Sequence, residues 1–257
     1  MTTPLLAVRN LSVSIGGRRI VDRLSLDLQL GERLAILGRN GAGKTTLLHT
    51  LAGLHSHDAG VISLEGTPIA ALGERETAQL RGLLAQHQRD AFPATVLETA
   101  LVGRHPHLRR WQWEGARDER IAREALAAMQ LADLATRDVR SLSGGERQRL
   151  AIATLLAQQP RLCLLDEPLA HLDLNHQMAV LELFSGMARD RTVAVITVLH
   201  DVNLALRYAD RVLLLFGDGS WRGGPTAETL TTEVLTTLYG HPLHELRTGD
   251  QRYFLPQ

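Results

Sequence analysis

The stretch Gly38-Arg39-Asn40-Gly41-Ala42-Gly43-Lys44-Thr45-Thr46 constrains this chain more than any other. It has the G-x-x-x-x-G-K-[ST] spacing of a phosphate-binding loop. Glycines there let the backbone wrap closely round an anion, so that successive N–H groups and the positive end of the following helix point at it. Lys44 would reach the terminal phosphates and the Thr45 hydroxyl would hold Mg²⁺. The apolar run Leu34-Ala35-Ile36-Leu37 before the loop reads as a buried strand, and Thr46 to Ala52 after it reads as a helix, which is the context the motif needs. Binding of a nucleoside triphosphate follows, and the rest of the chain must say what it drives.

Composition narrows the partners. The chain has 257 residues, enough for one large domain or a domain with an insertion, and its acidic and basic residues balance at 28 each. A formal net charge of +0 gives no global pull toward nucleic acid or anionic lipid, so any such partner must be recognised locally. The single cysteine, Cys163, lies in an apolar run and reads as a small buried side chain, so no disulfide can form within the chain. The start, Met1 to Leu6, has neither the basic region nor the apolar core of a signal peptide. No apolar run approaches the roughly 20 residues of a membrane span. Work at a membrane would need another chain to supply the span.

The front of the chain alternates loosely, with Val8, Leu11, Val13 and Ile15, then Ile20, Val21, Leu24, Leu26 and Leu28. Gly16-Gly17 breaks the pattern and predicts two strands joined by a turn. Another strand is predicted at Val61 to Leu64. From about His87 to Arg140 strand-like runs vanish, and Asp118 to Leu131 predicts an amphipathic helix with Ile121, Ala125, Leu126 and Met129 on one face. Pro93, Pro106, two tryptophans and Arg109-Arg110 mark an irregular, partly exposed stretch between Phe92 and Trp113. Alternation then returns: strands at Arg161–Leu165, Thr192–Leu199 and Arg211–Phe216, helices at Leu174–Ala188 and Val202–Ala209. Such alternation points to a parallel sheet covered by helices. The tail from Thr226 is expected to hold a short helix or two and a final extended piece.

Two further stretches carry chemistry. Leu162 to Leu165 is an apolar strand ending in Asp166-Glu167. In phosphate-loop enzymes the first such acid holds Mg²⁺ and its neighbour can orient or deprotonate the attacking water, which assigns Asp166 to the metal and Glu167 to the base. The octet Leu142-Ser143-Gly144-Gly145-Glu146-Arg147-Gln148-Arg149 places Ser143 where an N-cap would stand. Gly144 and Gly145 then leave N–H groups exposed at the start of a helix through Leu150, Ile152 and Leu155, a second anion-binding helix end. A capped helix with no ligand would look the same at this level.

The phosphate loop, this octet and Asp166-Glu167-Pro168, in that order, resemble the ATPase subunit of an ABC transporter, and the resemblance covers nearly the whole chain. It implies an α/β fold: a phosphate-loop core with a mixed sheet, an N-terminal antiparallel β subdomain and an inserted α-helical subdomain at about 87–160, together a single domain over 1–257. It also implies a head-to-tail homodimer in which Ser143, Gly144 and Gly145 of one copy close over the γ-phosphate held by Lys44 of the other. Gln86 matches the glutamine that touches Mg²⁺ and the attacking water, and His200 matches the switch histidine at the γ-phosphate. Asp173 matches an acid that links the two copies, and it could also cap the helix at Leu174. Two positions depart from the pattern. Ile15 stands where an aromatic residue usually stacks on adenine, leaving apolar contact without stacking, and Leu169 stands where threonine is common.

Leu172 to Gln177 and Gly103 to His107 are similar to stretches in the subgroup that imports ferric siderophores, haem and cobalamin. Their histidines, His105, His107 and His176, come from separate segments without an acid or cysteine at ligand spacing, so no metal site is read from them. The resemblance implies an importer ATPase using ATP and Mg²⁺, peripheral at the cytoplasmic face of the inner membrane. It would work beneath two polytopic permease subunits served by a substrate-binding protein, with His87 to His107 as the docking surface and no nucleic acid as partner. The alternative is a soluble ABC ATPase acting on ribosomes or in DNA repair. Ribosome-acting members usually carry two cassettes and repair members a long coiled coil; this chain shows one cassette and no sustained heptads.

Overall fold

A computed structural model describes residues 3–86, 93–109, 111–249 and 251–257. The chain begins with β1 (Leu6–Ile15) and β2 (Arg18–Leu28), followed by β3 (Arg33–Gly38), α1 (Lys44–Leu51), β4 (Ala59–Leu64) and β5 (Thr67–Pro68). Next come α2 (Glu74–Leu80), β6 (Arg81–Leu84), α3 (Val96–Leu101), a 3-10 segment at Val102–His107, α4 (Ala116–Ala128), α5 (Gly144–Gln158), β7 (Leu162–Asp166) and α6 (Leu174–Arg189). The remainder is β8 (Ala194–Val198), α7 (Val202–Tyr208), β9 (Arg211–Leu215), β10 (Trp221–Pro225), α8 (Thr226–Thr229), α9 (Thr232–Tyr239), β11 (Leu243–Thr248) and β12 (Gln251–Pro256). Two compact units result: Met1–Ala71 with Phe184–Gln257, and Leu72–Leu183.

In the first unit, β2, β1, β4 and β5 form an antiparallel sheet in that order. Leu6, Val8, Leu11, Val13, Leu24 and Leu28 are buried, as the loose alternation requires. Register shifts between Val8 and Leu11, and again before Val13, explain why that alternation is not strict. The strands β9, β3 and β8 pair in parallel, with β10 antiparallel to β9. Residues 34–38 of β3 and all of β8 are buried, which is why both read as continuous apolar runs. At the C-terminus the expected single extended piece is instead a hairpin of β11 and β12, in register from Leu243 opposite Pro256 to Thr248 opposite Gln251.

The second unit packs α3, α4 and α5 around Val96, Ala100, Ala122, Leu126, Leu150 and Ile152, beside a parallel pair of β6 and β7. It takes in the stretch expected to be inserted, 87–160, and runs beyond it at both ends. The helix predicted to reach Leu131 ends at Ala128, because Gln130 adopts a left-handed backbone with φ 55° and the Leu131 N–H turns back to the Leu126 carbonyl. One ion pair is deeply buried here. Arg104, 4% exposed, donates from Nε to Asp118 Oδ1 at 3.0 Å and from Nη1 to the Ala157 carbonyl at 2.8 Å and Gln159 Oε1 at 3.0 Å. It ties the 3-10 segment to the first turn of α4 and the last turn of α5.

Candidate functional site

The predicted site residues divide between the two units: Ile15, Gly38 to Thr46 and His200 in the first, Gln86, Ser143 to Gly145, Asp166 and Glu167 in the second. In the first unit the loop 39–43 leaves the C-terminal end of β3, and His200 lies two residues beyond its parallel neighbour β8. The Leu199 N–H donates to the Ile36 carbonyl at 3.2 Å, so the ladder runs almost to the histidine, which is exposed. Both features therefore sit at the carboxyl edge of adjacent parallel strands, where open α/β sheets place ligands.

The loop has the form of an anion cradle. Gly43 is the N-cap of α1 with φ 95°, and a β-carbon there would come 2.4 Å from Ile20 Cγ2. Gly38 is equally constrained, since its β-carbon would meet the Leu215 carbonyl oxygen at 2.6 Å. With glycine at its N-cap, α1 starts with no side-chain cap and no acidic residue in its first turn. Its amide groups and dipole therefore favour an external anion. Lys44 is 6% exposed and donates from Nζ to the carbonyls of Gly38 at 2.9 Å and Arg39 at 3.1 Å, so its ammonium is held inside the loop. Ile15, 51% exposed at the end of β1, offers an apolar surface without a ring.

Sequence reasoning missed Arg18. Its Nη1 donates to the Gly41 carbonyl at 2.9 Å, while Nε and Nη2 donate to the Gly217 carbonyl at 3.0 and 2.6 Å. The guanidinium thus ties the crown of the loop to the turn after β9. Nothing local in the sequence signals this, because Gly217 is 199 positions away.

In the second unit, Leu84 pairs with Leu165, which places Gln86 and Asp166-Glu167 at one carboxyl edge. Asp166 is buried at the last position of β7, and Glu167 holds a left-handed backbone with φ 49°. For a residue with a side chain that conformation costs about 1–2 kcal/mol, a strain typical of functional turns. The turn is braced from α5, where Gln148 Nε2 donates to the Pro168 carbonyl at 2.9 Å, and from α6, where Gln177 Nε2 donates to the Leu172 carbonyl at 3.0 Å.

Ser143 is the N-cap of α5. Its hydroxyl accepts the Glu146 N–H at 3.2 Å, and Glu146 Oε2 accepts the Ser143 N–H at 2.7 Å. Hydrogen bonds from the Ser143 N–H and hydroxyl hold the Glu146 carboxyl below its ordinary range. Gly145 lies against the turn after Glu167, its would-be β-carbon 3.0 Å from the His171 carbonyl. Asp173 accepts from the His176 N–H at 2.9 Å and from His176 Nδ1 at 2.8 Å, which caps the start of α6. His107 bonds the Gln158 carbonyl at 2.8 Å, and His105 stands 3.4 Å from Glu114. All three histidines thus have local structural partners. Of the expected docking surface, positions 87–92 lie outside the described residues. Beyond it, Trp111 and Trp113 are exposed as expected, but the stretch expected to be irregular is mostly helical, with α3 and the 3-10 segment running from Val96 to His107 behind the Thr95 cap.

Comparison with known proteins places these features in a family. Residues 21–170 match the ABC transporter family model. Over 243 residues the chain is 44% identical to a hemin import ATP-binding protein of Gloeobacter violaceus, covering 92% of this chain and 87% of the relative. A hemin import ATP-binding protein of Deinococcus radiodurans is 43% identical over 245 residues, with 93% and 92% covered. Among solved structures, a metal-chelate type ABC transporter in an inward-facing conformation aligns with a TM-score of 0.85 at 32% identity, covering 98% of this chain and 97% of that one.

Proposed function

This chain belongs to the ABC transporter family, and from that premise we propose that it is the ATP-hydrolysing subunit of an importer for an iron chelate, haem first among them. The observation that carries the reading is identity above 40% to hemin import ATP-binding proteins over more than nine-tenths of the chain. No helix among the described residues is long and apolar enough to cross a membrane. The span is therefore assigned to a polytopic permease, with this subunit peripheral at its cytoplasmic face and paired with a second copy.

The roles follow from the groups each residue presents. Backbone N–H groups of Gly41, Gly43 and Lys44, with the Lys44 ammonium, bind the β- and γ-phosphates, helped by Arg39, Asn40, Ala42 and Thr46 in shaping the loop. Ile15 covers one face of the base. Glu167 accepts a proton from the attacking water, and Gln86 orients that water. His200 donates to the γ-phosphate. Ser143, Gly144 and Gly145 donate to the nucleotide held by the other copy. Mg²⁺ supplies neutralisation of phosphate charge, and the oxygen donors of Thr45, Asp166 and Gln86 suit that hard cation.

The test is recovery of the tagged chain from detergent-solubilised membranes of its host, followed by ATPase assay of the recovered complex in proteoliposomes with its binding protein. A polytopic permease should co-purify, and haem-loaded binding protein should stimulate hydrolysis more than ferric siderophore or cobalamin does. Recovery of ribosomal or repair proteins instead would remove the transport reading and leave the ATPase chemistry standing.

A further inference from the structure

Asn203, in the first turn of α7, is tied twice to one residue of the last strand. Its Nδ2 donates to the Phe254 carbonyl at 3.1 Å, and its Oδ1 accepts the Phe254 N–H at 2.8 Å. The amide thereby imitates one rung of a β-ladder, joining a helix start to the strand β12. Phe254 is 2% exposed, with the Arg252 guanidinium 5.4 Å from its ring centroid, so the Phe254 end of the rung is held by packing while Asn203 is half-buried. Asp201, the residue after His200, caps the same turn by accepting the N–H groups of Asn203 at 2.7 Å and Leu204 at 3.3 Å.

The C-terminal elements approach this turn from a second direction. Tyr239 ends α9 with its hydroxyl buried and without a hydrogen-bond partner among the described residues. Burial, then the charge of Asp201, push that phenol up to about 12. Gly240 closes α9, and a β-carbon built there would lie 3.3 Å from an Arg39 guanidinium nitrogen. A cation of the phosphate loop therefore faces the negative end of α9. The segment from α9 to β12 thus touches both the His200 turn and the loop that holds phosphate.

We propose that Asn203 is a positioning residue for His200: its paired bonds to Phe254 fix the start of α7, and with it the His200-Asp201 turn, against the C-terminal hairpin. The proposal rests on the reading of His200 as the γ-phosphate contact. Asn203 touches no reacting atom in this account and acts only by setting where the imidazole stands.

The test is a double-substitution cycle in the full-length chain, read by single-turnover ATP hydrolysis, KM for ATP and thermal melting. Asn203→Ala should lower the hydrolysis rate about tenfold, below the roughly hundredfold that a 1 Å misplacement can cost, with KM for ATP unchanged within about twofold. Asn203→Asp keeps the acceptor for the Phe254 N–H and loses the donor, so its rate should fall between those of Asn203→Ala and the unsubstituted chain. If Asn203 acts through the histidine, Asn203→Ala should add nothing once His200→Ala is present. A full additional loss in that background overturns the proposal, as does an Asn203→Ala variant with unchanged rate, or one whose loss is matched by a raised KM and lowered melting. If His200→Ala alone leaves hydrolysis unchanged, the reading of His200 falls and takes the proposal with it.

Discussion

Replacing Arg104 by methionine isolates the buried ion pair of the helical unit. The substitution removes three hydrogen bonds, to Asp118, the Ala157 carbonyl and Gln159. It leaves the Asp118 side chain, 12% exposed, with a single bond of 3.1 Å from the Gly115 N–H. Breaking a buried pair from one side costs about 3–5 kcal/mol. The remaining Gly115 bond and the position of Asp118 in the first turn of α4 return part of that, about 0.5–1 kcal/mol. A net loss of about 3 kcal/mol corresponds to a melting point lower by roughly 6–12 °C in a chain of this size.

The pH dependence is the sharper test. Burial alone would raise the Asp118 carboxyl, but the Gly115 N–H and the bond and charge of Arg104 outweigh it and hold the group below its ordinary range. A depressed carboxylate contributes stability above its unfolded value of about 3.9 and loses it as pH falls through the folded value. The deficit of Arg104→Met should therefore be full at pH 7 and shrink below about pH 4. Urea unfolding followed by circular dichroism at several pH values measures it. Adding Asp118→Leu should recover most of the lost stability, since an apolar pair replaces an ion pair at little net cost. A loss under about 1 kcal/mol, no pH trend, or a double variant no better than the single one would refute the account.

Three further outcomes are expected at the nucleotide site. Glu167→Gln should bind ATP normally and accumulate as a closed dimer with turnover reduced by about 10²–10⁴-fold, visible by size-exclusion chromatography; near-normal hydrolysis would contradict the base assignment. Arg18→Ala frees the Gly41 carbonyl from Gly217 and should weaken ATP binding about tenfold by calorimetry, for a loss near 1.5 kcal/mol; unchanged affinity would show that the loop holds its shape without the clamp. Ile15→Tyr supplies the missing ring and should tighten ATP binding by about 1–3 kcal/mol; equal affinity in both proteins would mean that the base does not lie over Ile15.

What the sequence made legible was local. The phosphate loop and the Leu142 to Arg149 octet specify their backbone by glycine, serine and lysine at fixed short spacings, and both fold with the expected strand or cap beside them. The strand β10 was not legible, because Trp221-Arg222-Gly223-Gly224-Pro225 has no apolar alternation and is held by backbone pairing to β9. Neither was β6, whose four residues gain strand character by pairing with β7 about 80 positions later. The hairpin of β11 and β12 was legible and was missed: Gly249-Asp250, between Thr248 and its partner Gln251, is a two-residue hairpin signal, but the flanking residues alternate too weakly to draw attention as strands. Arg18 and Asn203 were invisible for one shared reason: each acts through backbone atoms of a distant residue, and backbone atoms leave no mark on sequence.

The two helix starts differ in a way that orders their roles. At α1 the N-cap is glycine, no carboxylate lies in the first turn, and Lys44 adds a cation, so this start attracts an anion unaided. At α5 the capping box has already engaged the Ser143 and Glu146 N–H groups, and the Glu146 carboxylate offsets the positive end of the helix. Only the N–H groups of Gly144 and Gly145 lack an intrahelical acceptor by helix geometry. Such a start is rigid and weakly attractive to free phosphate, yet well suited to complete the coordination of a phosphate fixed elsewhere. On the proposed reading, nucleotide is captured first by the loop at Gly38 to Thr46, and the octet of the second copy closes on it afterwards. On the same reading, the capping of α5 would keep the octet from competing for nucleotide before the dimer forms. Glu146→Gln removes the opposing charge while keeping an acceptor for the Ser143 N–H, so it should favour ATP-dependent dimer closure.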